Sequence, residues 1–299
     1  MLDTTLLATV AAVVREGSFE RAARTLHITP SAVSQRIRLA EERVGTVLVV
    51  RGLPCTPTEA GARLCRHADT VALLESDLRR DMPILRNDGA AAPAATIRIA
   101  INADSMATWF VDAMQAFCAD STTLLDVTLD DQDKTSEWLR RGQVLAAITS
   151  LAKAVQGCRS RKLGVLRYCA TASPAFVERW FANGVNAESL ARAPSLVFDR
   201  NDRLQEQWVR RVTRKDMVLP AHRLPSSQAF IDGALAGIGW GMNPLALVQD
   251  HLAAGRLVEL VPERRLDVPL YWQVAKLPLP ELARLSQCVQ LAAGQALVG

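Results

Sequence analysis

Residues Phe19 to Arg51 constrain this chain more than any other stretch. Phe19-Glu20-Arg21-Ala22-Ala23-Arg24-Thr25-Leu26-His27-Ile28-Thr29-Pro30-Ser31-Ala32-Val33-Ser34-Gln35-Arg36-Ile37-Arg38 reads as a short helix, a tight turn and a second helix. Thr29 can cap the second helix, Pro30 suits its first turn because no N–H is needed there, and Gly45 ends the pattern. Val33, Ile37, Ala40 and Val44 recur at helical spacing and share one apolar stripe. Ser31, Ser34, Gln35 and Arg38 lie opposite, with Arg36 on the flank. Ala22 and Ala23 are small enough for two helices to cross closely, and Phe19, Leu26 and Ile28 complete a small core. Such a helix is shaped to enter a DNA major groove, where serine, glutamine and arginine read base edges or grip phosphate. The plainer alternative is an amphipathic helix pair whose polar face meets water. Against it stands the β-branched run Val47-Leu48-Val49-Val50, which reads as a wing strand ending on Arg51.

The 299 residues, 49% of them hydrophobic, suffice for two or three cores. No run of about 18 apolar residues occurs, so no membrane span is expected, and Met1-Leu2-Asp3-Thr4-Thr5 lacks the basic start of a signal peptide. Cys55, Cys65, Cys118, Cys158, Cys169 and Cys288 show no C-x-x-C or Cys/His spacing. Free thiols in a reducing cytoplasm are therefore expected, without metal or cofactor. The net charge of +4 is small, but residues 1–66 carry nine arginines against six acids and no lysine. Arginine is suited to bidentate contact with phosphate and guanine.

Residues 2–14 open the chain as a helix with Leu6, Leu7, Val10, Val13 and Val14 as its apolar set. Thr58 to about Met82 reads as one long helix, in which Leu64, Val71, Leu78 and Leu85 fall seven apart, with Leu74 in an imperfect companion row. A dimerising helix fits, because a two-fold DNA reader must meet two half-sites. Asn87-Asp88-Gly89-Ala90-Ala91-Ala92-Pro93-Ala94 marks a hinge. Beyond it, 96–101, 124–130, 145–149, 168–171, 195–198 and 238–241 read as strands alternating with helices, which predicts α/β architecture with parallel sheets. The expected organisation is a winged helix-turn-helix over 1–58, a linker helix over 59–87, a hinge over 88–95 and an effector domain over 96–299.

The segment Phe19–Arg51, followed by Pro57-Thr58-Glu59-Ala60-Gly61, resembles the N-terminal domain of LysR-type transcriptional regulators. Asn102-Ala103-Asp104-Ser105-Met106-Ala107-Thr108-Trp109 resembles the branch that senses lysine and arginine and controls export of basic amino acids. Leu139-Arg140-Arg141-Gly142, Ser226-Ser227-Gln228-Ala229-Phe230 and Leu270-Tyr271-Trp272 carry the likeness over the whole chain, while Leu39-Ala40 and Val49 depart from the pattern away from the reading face. The resemblance implies an all-α winged helix-turn-helix followed by two lobes like a type 2 periplasmic binding protein. Lobe 1 would span about 96–165 and 266–299, and lobe 2 about 166–265. It also implies a homodimer or homotetramer, promoter DNA and RNA polymerase as partners, and a small-molecule effector between the lobes.

Open α/β sheets bind ligands beyond the carboxyl ends of their strands, where helix N-termini present free N–H groups. Asn102, Ala103, Asp104 and Ser105 lie at such an end, with Ser105 and the helix amides placed for an α-carboxylate. Asp104 is either an N-cap or the partner of a ligand cation. Asp130 ends the next strand and offers a second carboxylate, and Thr149, Asp199, Ser226 and Ser227 hold comparable positions. One of the two serines is expected to be a cap. Trp240 either lines the cleft or fills the core.

Two other functions fit parts of the pattern less well. An enzyme is disfavoured, since there is no Walker loop, no G-x-G-x-x-G after a strand and no G-x-S-x-G, and His27, His67, His222 and His251 stand apart. A solute-binding transport protein would share the effector fold but not the DNA-reading module. The reading is a regulator that binds promoter DNA through Thr29, Pro30, Ser31, Ser34, Gln35, Arg36, Arg38 and Arg51, pairs through Leu64, Val71, Leu74 and Leu78, and responds to lysine or arginine.

Overall fold

The computed structural model describes residues 3–82, 95–130, 135–140 and 143–299. The expected hinge, except its last residue Ala95, and Leu85 of the heptad row lie outside them.

Three helices, α1 (Thr4–Glu16), α2 (Phe19–Thr25) and α3 (Pro30–Val44), form the N-terminal module. Each starts on a side-chain cap: Asp3, Ser18 and Thr29 accept from the amides of Thr5, Arg21 and Ala32. Helices α1 and α3 stop at Gly17 and Gly45, both left-handed. The α2–α3 turn is made by His27 at φ 53°, with no glycine. Val33, Ile37 and Ala40 are buried with Leu6, Val10 and Val13, and Phe19, Leu26 and Ile28 pack against that cluster. Val44, expected in the stripe, is instead 37% exposed, because the last turn of α3 clears the core. The wing is shorter than its β-branched run: β1 (Val49–Val50) pairs antiparallel with β2 (Thr56–Pro57). Glu41 on α3 holds the wing down by accepting from the amides of Leu48 (2.9 Å) and Val49 (3.3 Å).

Helix α4 (Glu59–Asp81) leaves the wing through its cap Thr58, whose hydroxyl donates to the Val47 carbonyl at 2.7 Å. Two turns of α4 approach different modules. Cys65 is buried with the N-terminal cluster and Leu73 with the C-terminal core, whereas Leu74 and Leu78 are exposed. Asp69, between them, is held by Arg15 of α1 (3.1 Å) and by Arg98 of the following strand (2.9 Å). Arg98 also meets Asp126 at 3.3 Å.

The C-terminal part begins with β3 (Thr96–Ile101), α5 (Ala103–Ser105), a π turn (Met106–Phe110) and α6 (Val111–Cys118), the last three forming one continuous helical run. Then come β4 (Leu124–Leu129), α7 (Thr135–Arg140), β5 (Ala146–Thr149) and the long β6 (Cys158–Ala172). A second half follows: α8 (Pro174–Trp180), α9 (Ala187–Arg192), β7 (Ser195–Val197), α10 (Leu204–Thr213), β8 (Ala221–Arg223), α11 (Ser227–Leu235), β9 (Gly241–Pro244), α12 (Leu245–Ala253) and β10 (Val258–Glu259). The chain returns through β11 (Leu266–Ala275) and ends with α13 (Pro280–Ala296). The large sheet runs β10-β6-β11-β5-β3-β4, with β9 also on β6. Strands β3, β4 and β5 are parallel, as are β7 and β8, in keeping with the strand–helix alternation.

The parallel pairing expected from the strand–helix alternation gives way at β6 and β11. These two pair antiparallel along ten residues of β11 and pass from one half to the other. Strands β9 and β10 add to the far end of β6, also antiparallel. The strand expected at 238–241 begins three residues later, at Gly241. Ahead of it Ile238 lies in the turn after α11, and Trp240 makes an isolated parallel bridge to Ser195. The Trp240 amide donates to the Pro194 carbonyl at 3.1 Å, and its carbonyl accepts from the Leu196 amide at 2.7 Å. Trp240 is fully buried with its ring 5.3 Å from that of Trp208, a core position. All six cysteines are free; burial pushes the Cys65 thiol up to about 11 and Cys169 to about 12. No described helix is long and apolar enough to cross a membrane.

Two stability measurements follow from these contacts. A Cβ on Gly61 would lie 1.9 Å from the Leu48 carbonyl oxygen, so Gly61→Ala must part α4 from the wing, costing about 1–3 kcal/mol in urea unfolding. Arg98→Met leaves the Asp69 carboxylate with one guanidinium and is expected to cost about 2 kcal/mol, less than a fully buried pair because 25% of the Arg98 side chain is exposed. Asp69→Asn should cost less, since it removes a charge that burial disfavours; the reverse order would contradict this.

Candidate functional site

Two surfaces carry the residues singled out by sequence. On α3, Ser31, Gln35 and Arg38 are exposed, Ser34 and Arg36 half-exposed, and Thr29 and Pro30 exposed at its start. Thr29 spends its hydroxyl oxygen on the cap and sits 2.9 Å from the Ser31 hydroxyl. Arg38 bonds Glu42 one turn on at 2.9 Å, but the pair is 81% and 57% exposed, so it is weak and its guanidinium is easily redirected. Arg51, just past the wing strand, lies over the Phe19 ring at 5.2 Å, which steadies a cation beside the reading helix.

The second surface is a cleft of about 710 Å3, open mouth included, between the two halves of the C-terminal part. Asn102, Ala103, Asp104 and Asp130 line it from the ends of β3 and β4. Tyr168 of β6, Asp202 and Arg203 before α10, Ser227 and Phe230 of α11, and Asn243 of β9 line it from the other half. Five of the nine residues expected at an effector site are thus brought together. The remaining four are placed otherwise. Ser105 is fully buried, Thr149 is buried and accepts from the Leu151 amide, Asp199 closes a turn on the amides of Asn201 and Asp202, and Ser226 caps α11.

Asp104 is not an N-cap. Asn102 occupies the cap position, and the Asp104 carboxylate instead accepts from the Tyr168 hydroxyl at 2.7 Å and the Ser227 hydroxyl at 2.6 Å. Both donors belong to the opposite half, so this carboxylate ties the cleft walls together. Asp130 accepts from the Trp138 indole at 2.8 Å. Partial burial pushes the Asp202 carboxyl up, against the pull of the Phe198 and Leu204 amides that it accepts; the Asp104 charge adds to the rise. Among the described residues the lining therefore holds three carboxylates and one arginine, and Arg203 is itself engaged by Glu206 at 2.7 Å. Its field favours a cation. Helix N-termini of α11 and of the run starting at Ala103 also meet the cleft, and their first amides have no partner inside the helix, which suits a carboxylate.

Tyr168, Asp202 and Asn243 were missed by sequence reading. Asp202 stands in the turn-like Asp199-Arg200-Asn201-Asp202 and read as loop chemistry. Asn243 gave a usable signal, a lone amide in the apolar run Trp240-Gly241-Met242-Asn243-Pro244.

Comparison with known proteins covers both modules. Residues 4–62 match the bacterial regulatory helix-turn-helix protein family of lysR type, and residues 90–293 match the LysR substrate binding domain. The transcriptional regulator LysG of Mycobacterium tuberculosis is 46% identical over 292 residues, 98% of this chain and 94% of that protein. The crystal structure of ArgP from Mycobacterium tuberculosis superposes with a TM-score of 0.81 at 44% identity, with all of both chains covered. Full-length LysG of Corynebacterium glutamicum with the effector Arg bound gives 0.72 at 34% identity, again over both whole chains. The chain belongs to the LysR family of transcriptional regulators, a helix-turn-helix module joined to a substrate-binding domain.

Proposed function

We propose that this regulator is switched by a basic amino acid, lysine or arginine, and controls a gene for amino acid export in the cytoplasm. The observation that carries the reading is the cleft charge among the described residues: Asp104, Asp130 and Asp202 against one arginine, Arg203, already paired. An amino acid with a cationic side chain complements both that field and the helix N-termini. The Arg-bound LysG relative supports the same ligand class. Ala103 and Ser227 complete the proposed contacts, and Ser105, Thr149, Asp199 and Ser226 stand behind them as support for the walls.

The proposed module boundaries are 1–58, 59–87, 88–95 and 96–299, with Leu64, Val71, Leu74 and Leu78 of α4 meeting a second copy of the chain. The exposure of Leu74 (45%) and Leu78 (51%) supports that contact. Two paired modules set two reading helices on successive half-sites, and closure of the cleft changes their spacing or the bend of the DNA, and so access of RNA polymerase.

Calorimetry and thermal shift with lysine, arginine, glutamine and glutamate test the ligand. Lysine or arginine at about 100 times Kd should raise stability by roughly 2.7 kcal/mol, with little effect of the other two. Asp104→Asn should weaken lysine and arginine by about tenfold or more, since a charge-assisted contact and the tie to Tyr168 and Ser227 go together. Stabilisation by glutamate instead would overturn the cationic assignment. For the DNA face, Gln35→Ala and Arg38→Ala should each reduce specific over non-specific binding by about 1–3 kcal/mol in gel-shift titrations. Unchanged operator preference in both variants would remove that face from the reading.

A further inference from the structure

The cleft carboxylates supply charge, yet most of their oxygens are already in use. Both oxygens of Asp104 accept hydroxyls, both of Asp202 accept backbone amides, and Asp130 accepts an indole. Two neutral acceptors in the same lining stand apart from this pattern. Asn102 and Asn243 are 4% and 0% exposed, and the carboxamide oxygen of each has no hydrogen-bond partner among the described residues. One comes from each half of the domain, Asn102 after β3 and Asn243 on β9.

Each atom is left over for a local reason. An N-cap asparagine normally spends its oxygen on the second or third amide of its helix, but Asn102 makes no such bond. The Asn243 amide nitrogen donates to the Thr171 hydroxyl at 2.9 Å and to the Gly241 carbonyl at 3.4 Å. Turning that amide over would set its oxygen against the Gly241 carbonyl. Its oxygen is therefore fixed on the other side. A buried acceptor without a donor is disfavoured, and a donor brought by a ligand in the cleft that both residues line would remove that penalty.

We infer that Asn243, together with Asn102, reads N–H donors on the effector from the two facing walls of the cleft. The inference rests on the proposal that a basic amino acid occupies this cleft, and it adds the selection rule. The carboxylates attract any cation, whereas the two amide oxygens add a preference for ammonium and guanidinium groups that carry N–H donors. Fully methylated ammonium groups carry the charge and lack the donors. Because the two acceptors come from opposite halves of the domain, a ligand lying between those halves can meet both.

The test uses the full chain and calorimetry with lysine, arginine and two lysine analogues, one trimethylated on the side-chain nitrogen and one on the α-nitrogen. Wild type should lose about tenfold or more with at least one analogue, although the charge is kept. Asn102→Leu and Asn243→Ser should each weaken lysine and arginine by a similar factor and shrink the penalty for that analogue. Asn102→Leu should also keep or raise the Tm, because it removes an unsatisfied buried acceptor; a structural cap would give a lower Tm. Wild-type binding of both analogues overturns the inference while leaving the basic-ligand reading intact, and it does so whether or not Asn243→Ser folds. Absence of lysine and arginine binding to wild type overturns both.

Discussion

The carboxylate of Asp69 is the joint on which the arrangement of the molecule depends. It sits on α4 with Arg15 of the DNA-reading module on one side and Arg98 of the effector sheet on the other. Despite two guanidinium groups in contact, its pKa is raised, because burial disfavours the charge more than the arginines favour it. The folded chain therefore holds that proton more tightly than the unfolded chain does. Stability from this group is greatest at acid pH and declines as pH rises through the raised value. The joint contributes position rather than net stability. A hydrophobic contact at the same place would let α4 slide or rotate; two arginines on one carboxylate fix its angle to both neighbours.

Strand β3 extends that joint toward the cleft. Arg98 lies near its start and Asn102 just beyond its end, about 13 Å apart at the rise of an extended strand. Ile97, Ile99 and Ile101 are fully buried on one face and Ala100 on the other, so the strand cannot shift without moving the core on both sides. Asp104 continues the same path across the cleft to Tyr168 and Ser227. DNA-reading module, linker, sheet and both cleft walls are thus connected through polar contacts on one short stretch of chain. Physical continuity of this kind is the condition for coupling between the two sites, although coupling itself is an energetic quantity.

The helix-turn-helix was legible in sequence because every signal in it is local. Thr29, Pro30 and Gly45 mark the ends of α3, and the spacing of Val33, Ile37 and Ala40 marks its buried face. Strands β3, β4 and β5 were legible for the same reason, each being a short β-rich run between helices. What escaped was set by distant parts of the chain. The reversal of β6 against β11 joins residues about a hundred positions apart, and nothing in either strand announces an antiparallel partner. Ile238 and Trp240 have strand-forming side chains, but Ile238 falls in the turn after α11 and Trp240 pairs as an isolated bridge with Ser195, 45 positions back in the chain. In the cleft, Asn102 to Asp104 were found because they end a strand. Asp202 and Asn243 were not, since a turn aspartate and a mid-strand asparagine acquire their role only when the halves meet.

The cleft has a cost built into the fold that bears on how a ligand acts. Three carboxylates share one cavity, and Asp202 responds with a raised pKa from burial and from its neighbour Asp104. A cation entering the cleft would counter the repulsion from Asp104 and offset the burial penalty by direct attraction, and so favour the ionised form of Asp202. The gain is largest where the walls are close enough for one cation to face carboxylates from both. A cation at that position therefore favours the closed arrangement over the open one through differential contact, which is the only way a ligand can shift such an equilibrium. Under the proposed function, the clustering of acids that makes the cleft unfavourable by itself is what a basic ligand would use to act on the domain.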